Sequence, residues 1–317
     1  MAYLKLKNQG AALIAVLIIS IVLVVLMGVT SKLMDSRLQL AQQSRQMFRD
    51  QAAVYAKANE LTYLLSTQRM TVAGISQGTA KANMERNDDG LFIHPVVGDE
   101  LRVDGYQYRS DSAGVEYSIQ NENGLIPVNT STQYWIRRWL KGQGYNIVEQ
   151  AKLADILADY ADADDWRRPG GAEKNEYAAQ KQSAPANFLL QSCTELQQLV
   201  GWQEVLKLHP EFMRYCSLRR SAGVNINAIP VSLWQAIWPQ SAAQLAKLRE
   251  KNGWFIRASE VNLVEPTFIN EIEEMYSPLG GYTFDISVQK NAVALTKRIS
   301  IGSNLIPPFV LRGNAVF

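Results

Sequence analysis

Histidine is scarce in this 317-residue chain: His94 and His209 are the only two. Each precedes a proline and reads as a surface loop residue, and neither belongs to a His-Glu-x-x-His or Cys-His arrangement. The sequence also lacks a glycine-rich phosphate loop. These absences argue against the common metalloprotease and nucleotide-binding chemistries. An acidic cluster is a candidate for catalysis, of the kind a glycosidase pair needs. An excess of charge of one sign is missing too. There are 32 basic and 30 acidic residues, a net charge of +2, so no single-sign field steers the molecule toward nucleic acid. No internal repeat and no long low-complexity tract occurs. Cysteine is limited to Cys193 and Cys216.

What is present begins at the N-terminus. No charge occurs from Asn8 to Ser31, and the run from Ala11 to Val29 is apolar almost throughout. A helix of about 20 such residues crosses a bilayer. Lys5 and Lys7 precede the run. The positive-inside tendency keeps that end in the cytoplasm and sends the C-terminal bulk across the membrane, into the periplasm of a Gram-negative cell. An ordinary secretory signal would carry small residues after the run, and that pattern is poor here. The junction Lys7-Asn8-Gln9-Gly10-Ala11 lies before it instead. It resembles the type III leader of pilins, which a prepilin peptidase cuts after glycine. Cleavage between Gly10 and Ala11 would leave the hydrophobic helix on the mature chain, first as an anchor and then as a packing element.

Beyond the apolar run Leu33, Leu40, Met47, Val54 and Leu61 recur every seven residues. This predicts one amphipathic rod continuing to about Ser66. Arg37, Ser44 and Gln51 are polar, so a second seam for a coiled coil is missing, and a long helix laid against a small sheet fits better. The polar stretch from Gly74 to Gly90 reads as a loop. Alternating segments at Leu91 to Val97, Leu101 to Arg109, Val115 to Gln120, Tyr282 to Val288, Ala292 to Ser300 and Phe309 to Phe317 read as strands of one antiparallel sheet. Between them the pattern is helical: Tyr134 through Leu140, Ile147 through Tyr160, Phe188 through Val200 and Leu233 through Leu248. Cys193 and Cys216 flank two short helical pieces broken near Gly201 and Pro210. A disulfide there would close a loop of about 24 residues and contribute about 3 kcal/mol in the chain-entropy model. Two reduced core cysteines are the alternative; an extracytoplasmic compartment favours the bridge.

Three stretches together resemble one family, the general secretion pathway protein K group of large minor pseudopilins of type II secretion. They are Lys7-Asn-Gln-Gly-Ala-Ala-Leu-Ile14, Asp159-Tyr-Ala-Asp-Ala-Asp-Asp-Trp-Arg-Arg-Pro-Gly-Gly-Ala-Glu173 and Val224-Asn-Ile-Asn-Ala-Ile-Pro230. The acidic turn is the most specific of the three. The resemblance implies an α+β fold, with a pilin-like long N-terminal helix packed on an antiparallel sheet and a large helical domain inserted between strands. The expected segments are 1–10 as cleaved leader, 11–66 as N-terminal helix, 67–129 and 277–317 as the two parts of the sheet domain, and 130–276 as the inserted domain. It also implies N-methylation at Ala11, a place in the inner membrane, and a structural rather than enzymatic role. The implied partners are I- and J-type minor pseudopilins, the major pseudopilin and prepilin peptidase, with no nucleic acid. A minor pilin of a type IV pilus and a membrane-anchored periplasmic enzyme are the rivals.

Most pilins carry glutamate at the fifth mature position, which neutralises the N-terminal amine of a neighbouring subunit. Here that position is Ala15. An unpaired buried charge costs several kcal/mol, so a filament body is not readily built from subunits lacking the carboxylate. The resemblance therefore implies a capping position. Asp162, Asp164, Asp165, Glu173 and Glu176 gather around Pro169-Gly170-Gly171. Hard oxygens on a loop suit calcium, although the spacing is not that of an EF-hand and Arg167 and Arg168 offset part of the charge. The resemblance implies structural calcium there; the bland alternative is a solvated turn capping a helix. In the third stretch Asn227 reads as a helix N-cap and Pro230 as part of the first turn. The region has the order of a helix-hairpin-helix DNA binder, with Leu245 to Gly253 as second helix. Trp238-Pro239-Gln240 supplies no glycine where phosphate would need the backbone, which argues against DNA.

Overall fold

The computed structural model describes residues 7–78, 85–86, 92–93, 96–111, 113–268, 276–277, 281–302 and 309–316. His94 and most of the strand expected at 91–97 lie outside them. Helix α1 runs from Lys7 to Thr67 without interruption. At 1.5 Å per residue its 61 residues measure about 90 Å. It begins before the Gly10-Ala11 junction and passes straight through it, where the sequence places the start of the rod at Ala11.

The two halves of α1 live in different surroundings. From Leu13 through Phe48 its large apolar side chains are exposed, including Leu33, Leu40 and Met47 of the sevenfold series. Burial begins at Asp50 and continues through Val54, Ala58, Leu61 and Leu65. The spacing of four, four, three and four is that of a helical stripe against a flat partner. Only Val54 and Leu61 of the series therefore face the core.

That partner is a five-stranded antiparallel sheet. Numbering only its strands, these are β1 (Tyr108–Ser110), β2 (Val115–Asn121), β3 (Thr283–Lys290), β4 (Val293–Ile301) and β5 (Phe309–Val316). They lie side by side in chain order. Val115, Ile119, Phe284, Ile286, Val288, Leu295 and Ile299 pack with Val54, Ala58, Leu61 and Leu65 into one core. The segment expected as a strand from Leu101 to Arg109 is mostly loop, touching its neighbours through single bridges at Leu101 and Asp104. Gly105, at φ +77°, turns the chain there.

Residues 122–282 leave and re-enter this sheet at one place. Asn121 pairs with Phe284 across β2 and β3, and the Asn121 Nδ2 amide donates to the carbonyl of Gly281 at 3.0 Å. The excursion holds α2 (Tyr134–Gly142), α3 (Ile147–Ala161), α4 (Lys174–Ala179), α5 (Trp202–Leu208), α6 (Phe212–Tyr215), α7 (Val231–Ile237), α8 (Ala242–Glu250) and α9 (Ala258–Val264). Its core is separate and aromatic, built on Trp139, Trp202, Trp234, Tyr177 and Phe212. Two expected helices are corrected. Phe188 to Val200 holds only a 3-10 turn at Cys193–Gln198, and Leu233 to Leu248 is split after Ile237, because Pro239 cannot donate into a continuing helix. Start signals fared better: Asn146 Oδ1 accepts from the N–H groups of Val148 and Glu149 while Glu149 accepts from Asn146, closing a capping box on α3.

Candidate functional site

The acidic turn follows α3. Asp159 lies on the inward stripe of that helix beside Ile156 and Tyr160 and is fully buried. A buried carboxylate needs donors. Arg168 supplies them, its Nη1 2.5 Å from Asp159 Oδ1 and 2.5 Å from Asp162 Oδ2. The Arg168 backbone N–H also donates to Asp159 Oδ2 at 3.1 Å. Burial raises the Asp159 carboxyl pKa against the pull of this guanidinium, and the two carboxylates hold Arg168 firmly protonated.

The two glycines make this approach possible. A β-carbon on Gly171 would lie 1.8 Å from Asp159 Oδ2, and one on Gly170 would lie 2.9 Å from the Cα of Lys152. The N–H of Gly170 donates to Asp155 Oδ2 at 3.1 Å. Pro-Gly-Gly is thus a strip of backbone thin enough to lie along α3.

The five carboxylates proposed from sequence are divided among different partners. Asp162 shares Arg168. Glu176 accepts from Arg167 at 2.5 Å and from the Glu173 N–H at 3.0 Å, which lowers its pKa. Asp165 accepts from Asn187 Nδ2 at 2.9 Å, and Asp164 accepts from the Trp166 N–H at 2.8 Å. Glu173 is different. It is buried, and neither carboxylate oxygen has a hydrogen-bond donor. Burial, and then the charges of Asp159, Asp162, Asp165 and Asp164, push its carboxyl up to about 7. Asp162 Oδ1 is also buried without a donor. Among the described residues no three ligating side chains form a cation cage as they stand. The unspent donors are nonetheless hard carboxylate oxygens, which is the chemistry calcium takes. Glu173 and Asp162 are the residues that fit it.

Cys193 and Cys216 are joined, with Cα atoms 6.1 Å apart, tying the 3-10 turn to the end of α6. The third stretch of the resemblance has a role its spacing hid. Asn225, not Asn227, caps the short turn at Ile226–Ala228. Asn227 instead reaches the far loop: its Nδ2 donates to the Phe255 carbonyl at 2.7 Å, and its Oδ1 accepts from the Phe255 N–H at 3.0 Å and from Arg249 Nη1 at 3.2 Å. Pro230 precedes α7 as its cap.

Sequence reasoning passed over Arg219. Its guanidinium donates to the carbonyls of Gly223, Ser221 at 3.0 Å and Leu125 at 3.2 Å, joining the exit of the sheet to the inserted helices. Burial lowers its pKa to about 10. Nothing local marked it. Asp159 did carry a signal, an acid on the apolar stripe of an amphipathic helix.

Among the described residues one N-terminal helix has a first half that fits a single-pass membrane anchor and a second half that is laid on an antiparallel sheet with a helical excursion. That is a pilin-like α+β fold. Residues 117–210, from β2 through the acidic turn to α5, match the family model described as Type II secretion system (T2SS), protein K. The match supports a minor pseudopilin of type II secretion. The fold is similar to a chain in "The Crystal Structure of the GspK-GspI-GspJ complex from enterotoxigenic Escherichia coli Type 2 Secretion System". Identity is 13%, the likeness covers 87% of this chain and 99% of that one, and the TM-score is 0.50. No curated protein sequence matches the chain.

Proposed function

We propose that this chain is the tip subunit of a periplasmic pseudopilus, a structural rather than catalytic component of type II secretion. The protein K match across the acidic turn carries the reading. Ala15 adds to it, since a subunit with nobody ahead of it has no amine to neutralise. The solved complex that the fold resembles contains GspI and GspJ chains, and I- and J-type minor pseudopilins are the partners proposed here, with the major pseudopilin below them. Leu13, Val16, Leu17 and Ile21 are exposed on α1 and would pack against neighbouring helices once drawn out of lipid. The N-terminus is cytoplasmic and the head periplasmic, prepilin peptidase cuts between Gly10 and Ala11, and Ala11 is then N-methylated. Calcium belongs to the same reading, held through Glu173 and Asp162 with Asp164 and Asp165 close by; bound there, it supplies charge compensation and nothing catalytic.

N-terminal sequencing of the protein made with and without prepilin peptidase tests the proposal. A methylated Ala11 appearing only with the peptidase is expected. Met1 retained in both would overturn it.

A further inference from the structure

The body of helix and sheet and the inserted domain face each other across a cleft of about 380 Å³. Glu100, Arg102 and Tyr106 line it from the body, and Arg249, Glu250 and Trp254 from the insertion. Each wall is fixed by its own neighbours. In the body, Arg102 Nη2 stands 2.5 Å from the buried carboxylate of Asp104, and the Arg102 backbone N–H donates to Tyr108 Oη at 2.8 Å. Its guanidinium lies 4.4 Å from the Tyr106 ring centre. In the insertion, buried Arg249 donates to Asn227 Oδ1 and to the Gly253 carbonyl, both at 3.2 Å, and backs the Trp254 ring at 4.2 Å.

A cation held by one part thus meets a ring held by the other: Arg102 lies over Trp254 at 5.7 Å. Lys57 over Tyr117 lies within the body and Arg138 over Trp238 within the insertion, whereas this contact joins the two. Its distance is near the outer limit of about 6 Å for a cation–π attraction, so it is weak enough to be reversible. The chain itself crosses between the parts around Asn121. There the Asn121 amide holds Gly281, Gln120 Nε2 donates to the Ala228 carbonyl at 3.0 Å, and Gly281 takes φ +86°. Contacts gathered at one point make a pivot, and a pivot leaves an angle to be set.

We propose that Arg102 and Trp254 form a reversible latch that sets the angle between the inserted domain and the body. When it releases, the insertion swings about Asn121 and Gly281 and the cleft widens. Because α1 is packed on the sheet, the same angle orients the inserted helices relative to the anchor helix.

The test uses the full chain in detergent micelles, spin-labelled at Ser287→Cys on the sheet and Gln203→Cys on α5, both exposed. The native cysteines are bridged and do not take the label. Double electron–electron resonance reads the distance between the labels, and near-UV circular dichroism shows that each variant is folded. One narrow distance distribution is expected in the parent. Trp254→Leu should raise the open, longer-distance fraction relative to the closed one by about three- to tenfold. Arg102→Gln should do the same, and the double variant should open no further than either single one, since both remove one contact. Trp254→Phe, which keeps a ring, should stay narrow. If one single variant fails to fold, the other decides alone. A parent-like distribution in a folded Trp254→Leu or Arg102→Gln, additive opening in the double variant, or equal opening in Trp254→Phe would overturn the latch.

Discussion

Gly171 lies so close to Asp159 that a β-carbon added to it would sit 1.8 Å from the Asp159 carboxylate. The buried end of α3 and the strip of chain after the acidic turn are therefore one unit. Gly171→Ala must push that strip away from Asp159 and break its bonds to Arg168. We expect a loss of about 2–4 kcal/mol in denaturant unfolding of the full chain, at the level of overpacking combined with a disturbed buried ion pair. A loss below about 0.5 kcal/mol would show that the loop relaxes freely.

Glu173 governs how stability responds to pH. Its folded pKa of about 7 stands above the unfolded 4.5, so the folded state holds a proton that the unfolded chain releases between these values. Stability attributable to this group is full below pH 4.5, falls as pH rises toward 7, and stays low above it. Discounted for screening near the surface, the fall is about 1–2 kcal/mol. Glu173→Gln should remove it, which unfolding curves at pH 5 and 8 would reveal. Bound calcium should offset the same penalty, so chelation should lower Tm more at pH 8 than at pH 5.

Asn227 is buried and exchanges two backbone hydrogen bonds with Phe255. Asn227→Ala leaves the Phe255 N–H and carbonyl and one Arg249 amino group without that partner. Each unsatisfied buried group costs about 1–3 kcal/mol, so a total loss of roughly 3 kcal/mol is expected. Asn225→Ala, which removes only a cap, should cost about 1 kcal/mol. Thermal unfolding of the two variants side by side checks the order.

Lys297 points the other way. It sits on the inner face of β4 beneath α1, bonded to Thr62 Oγ1 at 3.1 Å, and burial lowers its pKa. Its charge thus opposes folding below its folded pKa, and the penalty fades as pH rises toward 10.5. Lys297→Met should stabilise the protein by about 1 kcal/mol at neutral pH, and less at pH 10. A destabilised variant would assign Lys297 a needed contact.

The anchor helix, the edges of α2 and α3 and the strands after Tyr282 were legible because each repeats a local period. The sevenfold series did not tell Leu33, Leu40 and Met47, which lie before the sheet begins, from Val54 and Leu61, which pack on it, because the spacing is the same in both parts of the helix. Asn227 looked like a cap because its neighbours Ile226 and Pro230 fit one; its true partner is 28 residues away. The acidic turn was recognisable as residues. Its division between Arg167, Arg168 and Asn187 was not, because side-chain pairing across a loop has no period to read.

β2 and β3 are neighbours although residues 122–282 lie between them, with Asn121 fastening the door at Gly281. Whatever is hung between those two points leaves the strand register unchanged. The insertion therefore leaves and rejoins the body of helix and sheet at two adjacent strand ends, so a change in the length of the first need not disturb the register of the second.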